Sequence, residues 1–208
     1  MKPSDSLAAL VLAAGIGARL GGIAKPLIRV GSQSIIQRVV QSLQAAGIGR
    51  IVVVISPFTQ RVREILTETL IGSTRGLSFV EVPVGGDQMY SLLHGLRHLD
   101  RVEGGVMVCL ADQPLLDAQA VAELQSAFVG RPLRAEMVVP YVNDQPGNPV
   151  VLSASLVQEW LSPNALYIGK AWREAHPDRV HLWSTHLTSY IVDLDTPEDL
   201  NKLHLVSV

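Results

Sequence analysis

Short, nearly continuous apolar runs recur along this chain of 208 residues, and they constrain its fold more than any other feature. They read "LAALVLAA" (7–14), "IVVVI" (51–55), "SFVEV" (78–82), "GVMVCLA" (105–111), "EMVVP" (136–140), "PVVL" (149–152) and "SYIVDL" (189–194). Several do not alternate with polar residues, so they predict strands covered on both faces. Between them lie helical patterns: Ile35, Ile36, Val39, Val40 and Leu43; then Val62, Ile65, Leu66 and Thr69; then Met89, Leu92, Leu93, Leu96 and Leu99; then Val121, Leu124 and Phe128. Strand alternating with helix predicts an α/β fold, a doubly wound and mostly parallel sheet whose ligands belong beyond the carboxyl ends of the strands.

The remaining third is less regular. Pro and Gly cluster in "NDQPGNP" (143–149), and "SPNALYIGKAWREAHPDR" shows no clean period, which predicts an irregular insertion over the site before a closing strand. The segment "DLDTPEDLNKL" predicts a last helix with Thr196 at its N-cap, Pro197 at its first position and Asp199 completing a capping box. The length suits a single domain over 1–208.

Composition narrows the function classes. A formal net charge of −2 does not advertise nucleic acid or an anionic membrane as partner. The single cysteine, Cys109, excludes an internal disulfide and any zinc site of several cysteines, and it reads as a small core residue. No segment approaches the roughly 20 apolar residues of a membrane span, and "MKPSDSLAALVLAAG" does not fit a signal peptide, so a cytoplasmic protein is expected. The histidines show no convergent ligand spacing; His94 and His98 are four apart on one helix but lack a third ligand.

Three features carry chemistry. Gly15 and Gly17 directly follow the first strand, where they form either a tight turn or a cradle whose backbone N–H groups face a phosphate. The third glycine of a dinucleotide fingerprint is missing, since Leu20 stands there, and the second strand ends in Ser56-Pro57 rather than an acid for a ribose hydroxyl. Arg19 and Lys25 place two cations within and after the loop, as a triphosphate requires. The second feature is Asp112, delivered by "VMVCLADQPLL" to the carboxyl edge of the sheet, where it either caps a turn or binds magnesium. The third is the pair Asp193 and Asp195 near the last predicted strand, with Asp195 favoured as the second metal ligand. Two carboxylates, one metal and two cations around a triphosphate are the parts of phosphoryl or nucleotidyl transfer.

With these residues in view, the motifs "LAAGIGARLGGIAKPL", "GGDQMYSLLHGL", "LADQPLL", "GNPVVL" and "DLDTPEDL" make the chain resemble the nucleotidyltransferases that include molybdenum cofactor cytidylyltransferases and their guanylyl-transferring relatives. The resemblance implies a Rossmann-like nucleotidyltransferase fold, with a nucleotide half over about 7–130 and an acceptor half over about 131–208. It implies that Leu12, Ala13 and Ala14 bind the nucleotide, that Gly15, Gly17, Arg19 and Lys25 hold its triphosphate, that Gly86, Asp87 and Ser91 lie by the base, and that Asp112 and Asp195 hold Mg2+. Arg19, Lys25 and Asp112 are then the catalytic residues. Gly147, Asn148, Pro149 and Arg173 would face the acceptor.

The implied substrates are CTP and a small phosphorylated acceptor, molybdopterin first, with a molybdoenzyme or its chaperone as protein partner. "LAAG" rather than "LAGG" leans toward CTP, because the Ala14 methyl narrows a pocket that glycine would leave open to a purine. The chain departs from the resemblance at Gly17 (usually Ser), Leu20 (usually Met), Asn148 (usually His, in "GHP") and "YIGKAWR" (usually "GDxGAR"), where Gly169 and Arg173 alone are kept. Guanylyl transfer, cytidylyl transfer of the isoprenoid-precursor type, and a member turned to nucleotide binding or nicotinamide-dependent reduction stand as the other readings.

Overall fold

In chain order the elements are β1 (Leu7–Leu12), the small hairpin β2 (Arg29–Val30) and β3 (Gln33–Ser34), α1 (Ile35–Ala45), β4 (Ile51–Ile55), α2 (Arg61–Thr69), β5 (Leu77–Glu81) and α3 (Gln88–His98). Then follow β6 (Gly105–Leu110), α4 (Ala118–Val129), β7 (Met137–Val142), β8 (Gln145–Pro146), β9 (Val150–Ser153), α5 (Ala154–Leu161), α6 (Gly169–Ala175), β10 (Val180–Ser184) and α7 (Pro197–Lys202). The structure is a computed structural model; it describes residues 6–69, 76–99 and 101–202, without the side chains of Arg19, Pro197 and Lys202.

The main sheet runs β10-β7-β9-β6-β1-β4-β5, with β8 paired to β7. β4, β1, β6 and β5 are mutually parallel, as are β7 and β10, while β9 runs antiparallel between β6 and β7. The expected α/β, mostly parallel sheet is therefore what forms. β1, β4 and β6 are buried nearly end to end, because helices cover both sides. Ala9 and Val11 face the layer of α1, α2 and α4, where Ile36, Val39, Leu66 and Leu124 are buried. Ala8 and Leu10 face the layer of α3, α5 and α6, where Leu96, Val157, Trp160 and Trp172 are buried. Each large side chain so placed contributes about 1.5–3 kcal/mol, so this two-sided core sets the level of the strand ends.

One expectation fails in the last third. Residues 189–194 do not form the closing strand: Thr188–Tyr190 is a single 3-10 turn and the chain then runs to α7 without sheet pairing. The closing strand is β10, which lies beside β7 at the sheet edge. Being an edge strand it is half exposed, Leu182 included, so its apolar pattern is broken where a buried strand's is not. Tyr190 is instead drawn inward by its own chemistry, its buried hydroxyl donating to the Ala120 carbonyl at 2.6 Å. The last helix starts as expected, with Asp199 Oδ2 accepting from the Thr196 N–H at 2.8 Å and the Thr196 hydroxyl at 2.9 Å.

Candidate active site

β1 and β6 lie side by side with Leu12 opposite Leu110, yet the chain leaves β1 toward β4 on the other side. The crevice between their carboxyl ends is thus the switch point of the sheet, where an open α/β fold leaves room for a ligand. The Ala111 N–H donates to the Leu12 carbonyl at 3.1 Å, which holds the two strand ends at one height. A cavity of about 350 Å³ opens there.

Leu12, Ala13, Ala14, Gly15, Gly17, Lys25, Gly86, Ser91, Asp112 and Asp195 line this cavity, so the structure brings most of the sequence-predicted site together. The loop after β1 is held by backbone geometry. Gly17 has a φ of 57°, and a Cβ there would lie 2.0 Å from the Ile23 carbonyl oxygen, so no other residue fits without moving the loop. The buried Ser56, expected only as a missing ribose acid, donates its hydroxyl to the Ala14 carbonyl at 3.1 Å and props the loop from behind. Arg19 lies in the short helix Ala18–Leu20, and its side chain is outside the described residues.

At the floor, Lys25 Nζ stands between two carboxylates, 3.2 Å from Asp112 Oδ2 and 2.6 Å from Asp195 Oδ1. Burial pulls the Lys25 ammonium down, but its bonds to Asp195 and Asp112 outweigh that and leave it above its ordinary value. Asp112 is raised as well, which for a carboxylate disfavours the charged form: burial raises it, and the pull of Lys25 only partly offsets this. Among the described residues its buried Oδ1 has no hydrogen-bond partner.

Among the described residues no group of three or more His, Cys, Asp or Glu could hold a metal by itself. The site nonetheless suits a hard divalent cation. Asp112 and Asp195 already converge on one positive charge, Asp112 keeps an unsatisfied oxygen, and magnesium needs only one or two carboxylates when phosphate and water fill the rest.

At the predicted base side, Gly86 and Ser91 line the cavity with Gln88, the first residue of α3, which the sequence analysis did not single out. Asp87 does not line it; its Oδ1 accepts the Tyr90 N–H at 2.6 Å and caps α3. On the predicted acceptor side, the Asn148 N–H donates to the Tyr190 carbonyl at 2.8 Å and the Asn148 carbonyl accepts from Gln113 Nε2 at 2.7 Å. A Cβ on Gly147 would lie 2.6 Å from the Tyr190 carbonyl oxygen, so this turn needs glycine for close approach. Gly147, Asn148, Pro149 and Arg173 do not line the cavity; Arg173 lies half buried on α6.

Trp172 is 1% exposed, its indole N–H bonded to Glu159, so it packs the core rather than stacking on a ligand. His94 bonds the Tyr90 carbonyl through Nδ1 and stacks on its ring. Cys109 is fully buried, and burial pushes its thiol up, as a core residue requires. No helix among the described residues is long and apolar enough to cross a membrane.

Comparison with known proteins agrees with this geometry. The MobA-like NTP transferase domain family matches residues 9–180. The bifunctional protein GlmU of Solibacter usitatus is 28% identical over 143 residues, 68% of this chain and 29% of its own length. The chain thus spans under a third of that relative. Among solved structures, Rv0371c of Mycobacterium tuberculosis superposes with a TM-score of 0.75 at 21% identity, covering 95% of this chain and 97% of that one. Its complex with manganese gives a TM-score of 0.70 at 20% identity, covering 95% and 97%. The 4-diphosphocytidyl-2C-methyl-D-erythritol synthase of Anaerococcus prevotii gives a TM-score of 0.70 at 15% identity, covering 96% and 95%. At these identities the structures speak for the shared fold.

Proposed function

The chain belongs to the MobA-like NTP transferase family, and from that premise we propose that it is a cytidylyltransferase, moving CMP from CTP to a phosphate of a small acceptor, molybdopterin first, with release of pyrophosphate. The observation that carries this reading is the cavity at the switch point, with the loop of Gly15 and Gly17 on one wall and the Asp112–Lys25–Asp195 cluster on its floor.

An oxygen of the acceptor phosphate forms a bond to the α-phosphorus, and the bond from that phosphorus to the bridging oxygen of pyrophosphate breaks. Little general-base help is needed, because the attacking oxygen is already ionised; positioning and charge neutralisation supply most of the rate. Gly15 and Gly17 let the triphosphate approach the backbone, and Lys25 stabilises charge on the α-phosphate and the departing pyrophosphate. The resemblance gives Arg19 the same task. Asp112 and Asp195 would hold Mg2+, which when bound neutralises phosphate charge. The manganese complex of Rv0371c supports a divalent metal.

The Ala14 methyl on the cavity wall favours the smaller base, and Gly86 and Ser91 flank it. The turn at Gly147–Pro149, tied to Gln113 beside Asp112, supports an acceptor side over about 131–208, with Arg173 as its cation and a molybdoenzyme or its chaperone as recipient of the product. Pyrophosphate release with each of the four NTPs and Mg2+, with and without molybdopterin, tests the reading. Release with CTP that requires the pterin is expected. No release with any nucleotide overturns the transferase, release with GTP instead overturns the base, and CTP turnover indifferent to the pterin overturns the acceptor.

A further inference from the structure

Gln113 directly follows the cavity-lining Asp112 and is 2% exposed, a rare depth for a polar side chain. Its Nε2 donates to the Asn148 carbonyl at 2.7 Å and lies 3.4 Å from the Tyr190 carbonyl. Both partners are acceptors, so they dictate which way the amide faces. The Tyr190 carbonyl also receives the Asn148 N–H, and the Leu194 N–H donates to the Asp112 carbonyl at 3.1 Å.

These bonds join three segments: the end of β6, the turn at Gly147–Pro149, and the stretch from Tyr190 to Asp195. That stretch has no strand partner to locate it. Asp195 therefore reaches Lys25 from a backbone pinned at Tyr190 and Leu194 on one side and, through its own N–H to Asp199 Oδ2 at 3.1 Å, at the start of α7 on the other. The fold itself gains little from the amide. Among the described residues Gln113 Oε1 is buried without a partner, and the cost of leaving such an acceptor unsatisfied offsets much of what its donor bonds contribute.

We propose that Gln113 is a positioning residue that sets Asp195 opposite Asp112 and carries the Asn148 turn against them, so that one amide registers the cation site with the acceptor side. This rests on the two-carboxylate reading of the site above. Partners that orient metal ligands typically account for 10–100-fold in metal affinity, which sets the scale of the expected loss.

The test is Mn2+ binding to the nucleotide-free protein, followed by electron paramagnetic resonance, in wild type and Gln113→Met, with thermal melting alongside. Gln113→Met is expected to weaken Mn2+ binding about tenfold and to raise by a similar factor the Mn2+ needed for half-maximal pyrophosphate release. The melting temperature and the KM for nucleotide should stay near wild type. Gln113→Asn, one methylene short of both carbonyls, serves if the Met variant does not fold, and should show the same loss. Unchanged Mn2+ affinity, or a drop in melting temperature with no change in affinity, overturns the positioning role alone. A wild type that binds no Mn2+ overturns the carboxylate site and this inference with it, whereas pyrophosphate release reports on the transferase separately.

Discussion

Two clusters in this molecule have the same make-up, one cation between two carboxylates, and opposite character. In the cavity, Lys25 joins Asp112 and Asp195, whose side chains are 17%, 22% and 40% exposed. Behind α5, Arg179 joins Glu136 and Glu159, at 28%, 21% and 39%. Burial raises both Asp112 and Glu159, and Asp112 more, its side chain being 22% exposed against 39% for Glu159, but burial alone cannot give the two opposite signs.

Hydrogen bonding does. The Arg179 guanidinium bonds both glutamates and lies 4.8 Å over the Trp172 ring, Trp172 donates to Glu159 at 2.7 Å, and Ser155 donates to Glu136 at 2.7 Å. Burial would raise Glu159, but the Arg179 and Trp172 bonds outweigh it and hold the carboxyl below its usual range. Burial holds the Asp112 carboxyl above its usual range, because the lysine ammonium bonds Oδ2 alone, leaves Oδ1 bare and only partly offsets the burial. A forked, planar cation completes a strut; a point charge leaves a socket.

Asp112→Asn should break this pairing hardest. Removing one preorganised charge of this kind costs about 10²–10³ in kcat, so pyrophosphate release should fall by that much. Stability should hold or rise, because the lost carboxylate was one that burial disfavoured and Lys25 keeps Asp195. An active Asp112→Asn enzyme, or one that is inactive only because it melts, would dissolve the contrast.

Arg179→Met is the mirror experiment. It leaves two partly buried glutamates without their cation, at roughly 2 kcal/mol on the scale of charged hydrogen bonds. For a domain of this size that is a fall in melting temperature of about 4–8 °C. Pyrophosphate release at 25 °C should stay within about twofold of wild type, since the change in stability leaves nearly all molecules folded. A large loss of turnover without a loss of stability would place Arg179 in the working site instead.

The contrast also explains what the sequence made legible. Gly15, Gly17, Lys25 and Asp112 follow from strand ends, which local apolar patterns mark, and the cavity gathers them. Asp195 is legible from the helix start at Thr196-Pro197, where its N–H donates to Asp199 Oδ2 at 3.1 Å, but not from a strand, since none delivers it. What places it is a set of bonds such as Gln113 to Tyr190, 77 residues apart, which leave no period to read. Ser56 is a similar case, a hydroxyl reaching back 42 residues to Ala14, visible in the sequence only as an absent acid. β10 was hidden because an exposed edge strand alternates imperfectly, and Arg179 drew no notice because its partners come from β7's approach and α5.

The smallest effect separates the clusters most finely, because it concerns a sign. Glu159 is held below its ordinary value, so its pairing stabilises the fold above the ordinary glutamate range and is lost as pH falls through the folded-state value. Glu159→Gln should therefore lower the melting temperature modestly at pH 7, by less than about 1 kcal/mol for so exposed a pair, and the gap should close below about pH 4. Asp112 is raised, so its charged form works against the fold: the advantage of Asp112→Asn should be absent in acid and grow as pH climbs from the ordinary aspartate value through the raised one. Melting curves of both variants and wild type, taken between about pH 3.5 and pH 7 to span the carboxylate range, should thus diverge in opposite directions. Gaps that open with the same sign would mean that Asp112 is paired as completely as Glu159, and that the bare oxygen in the cavity is no socket for a cation.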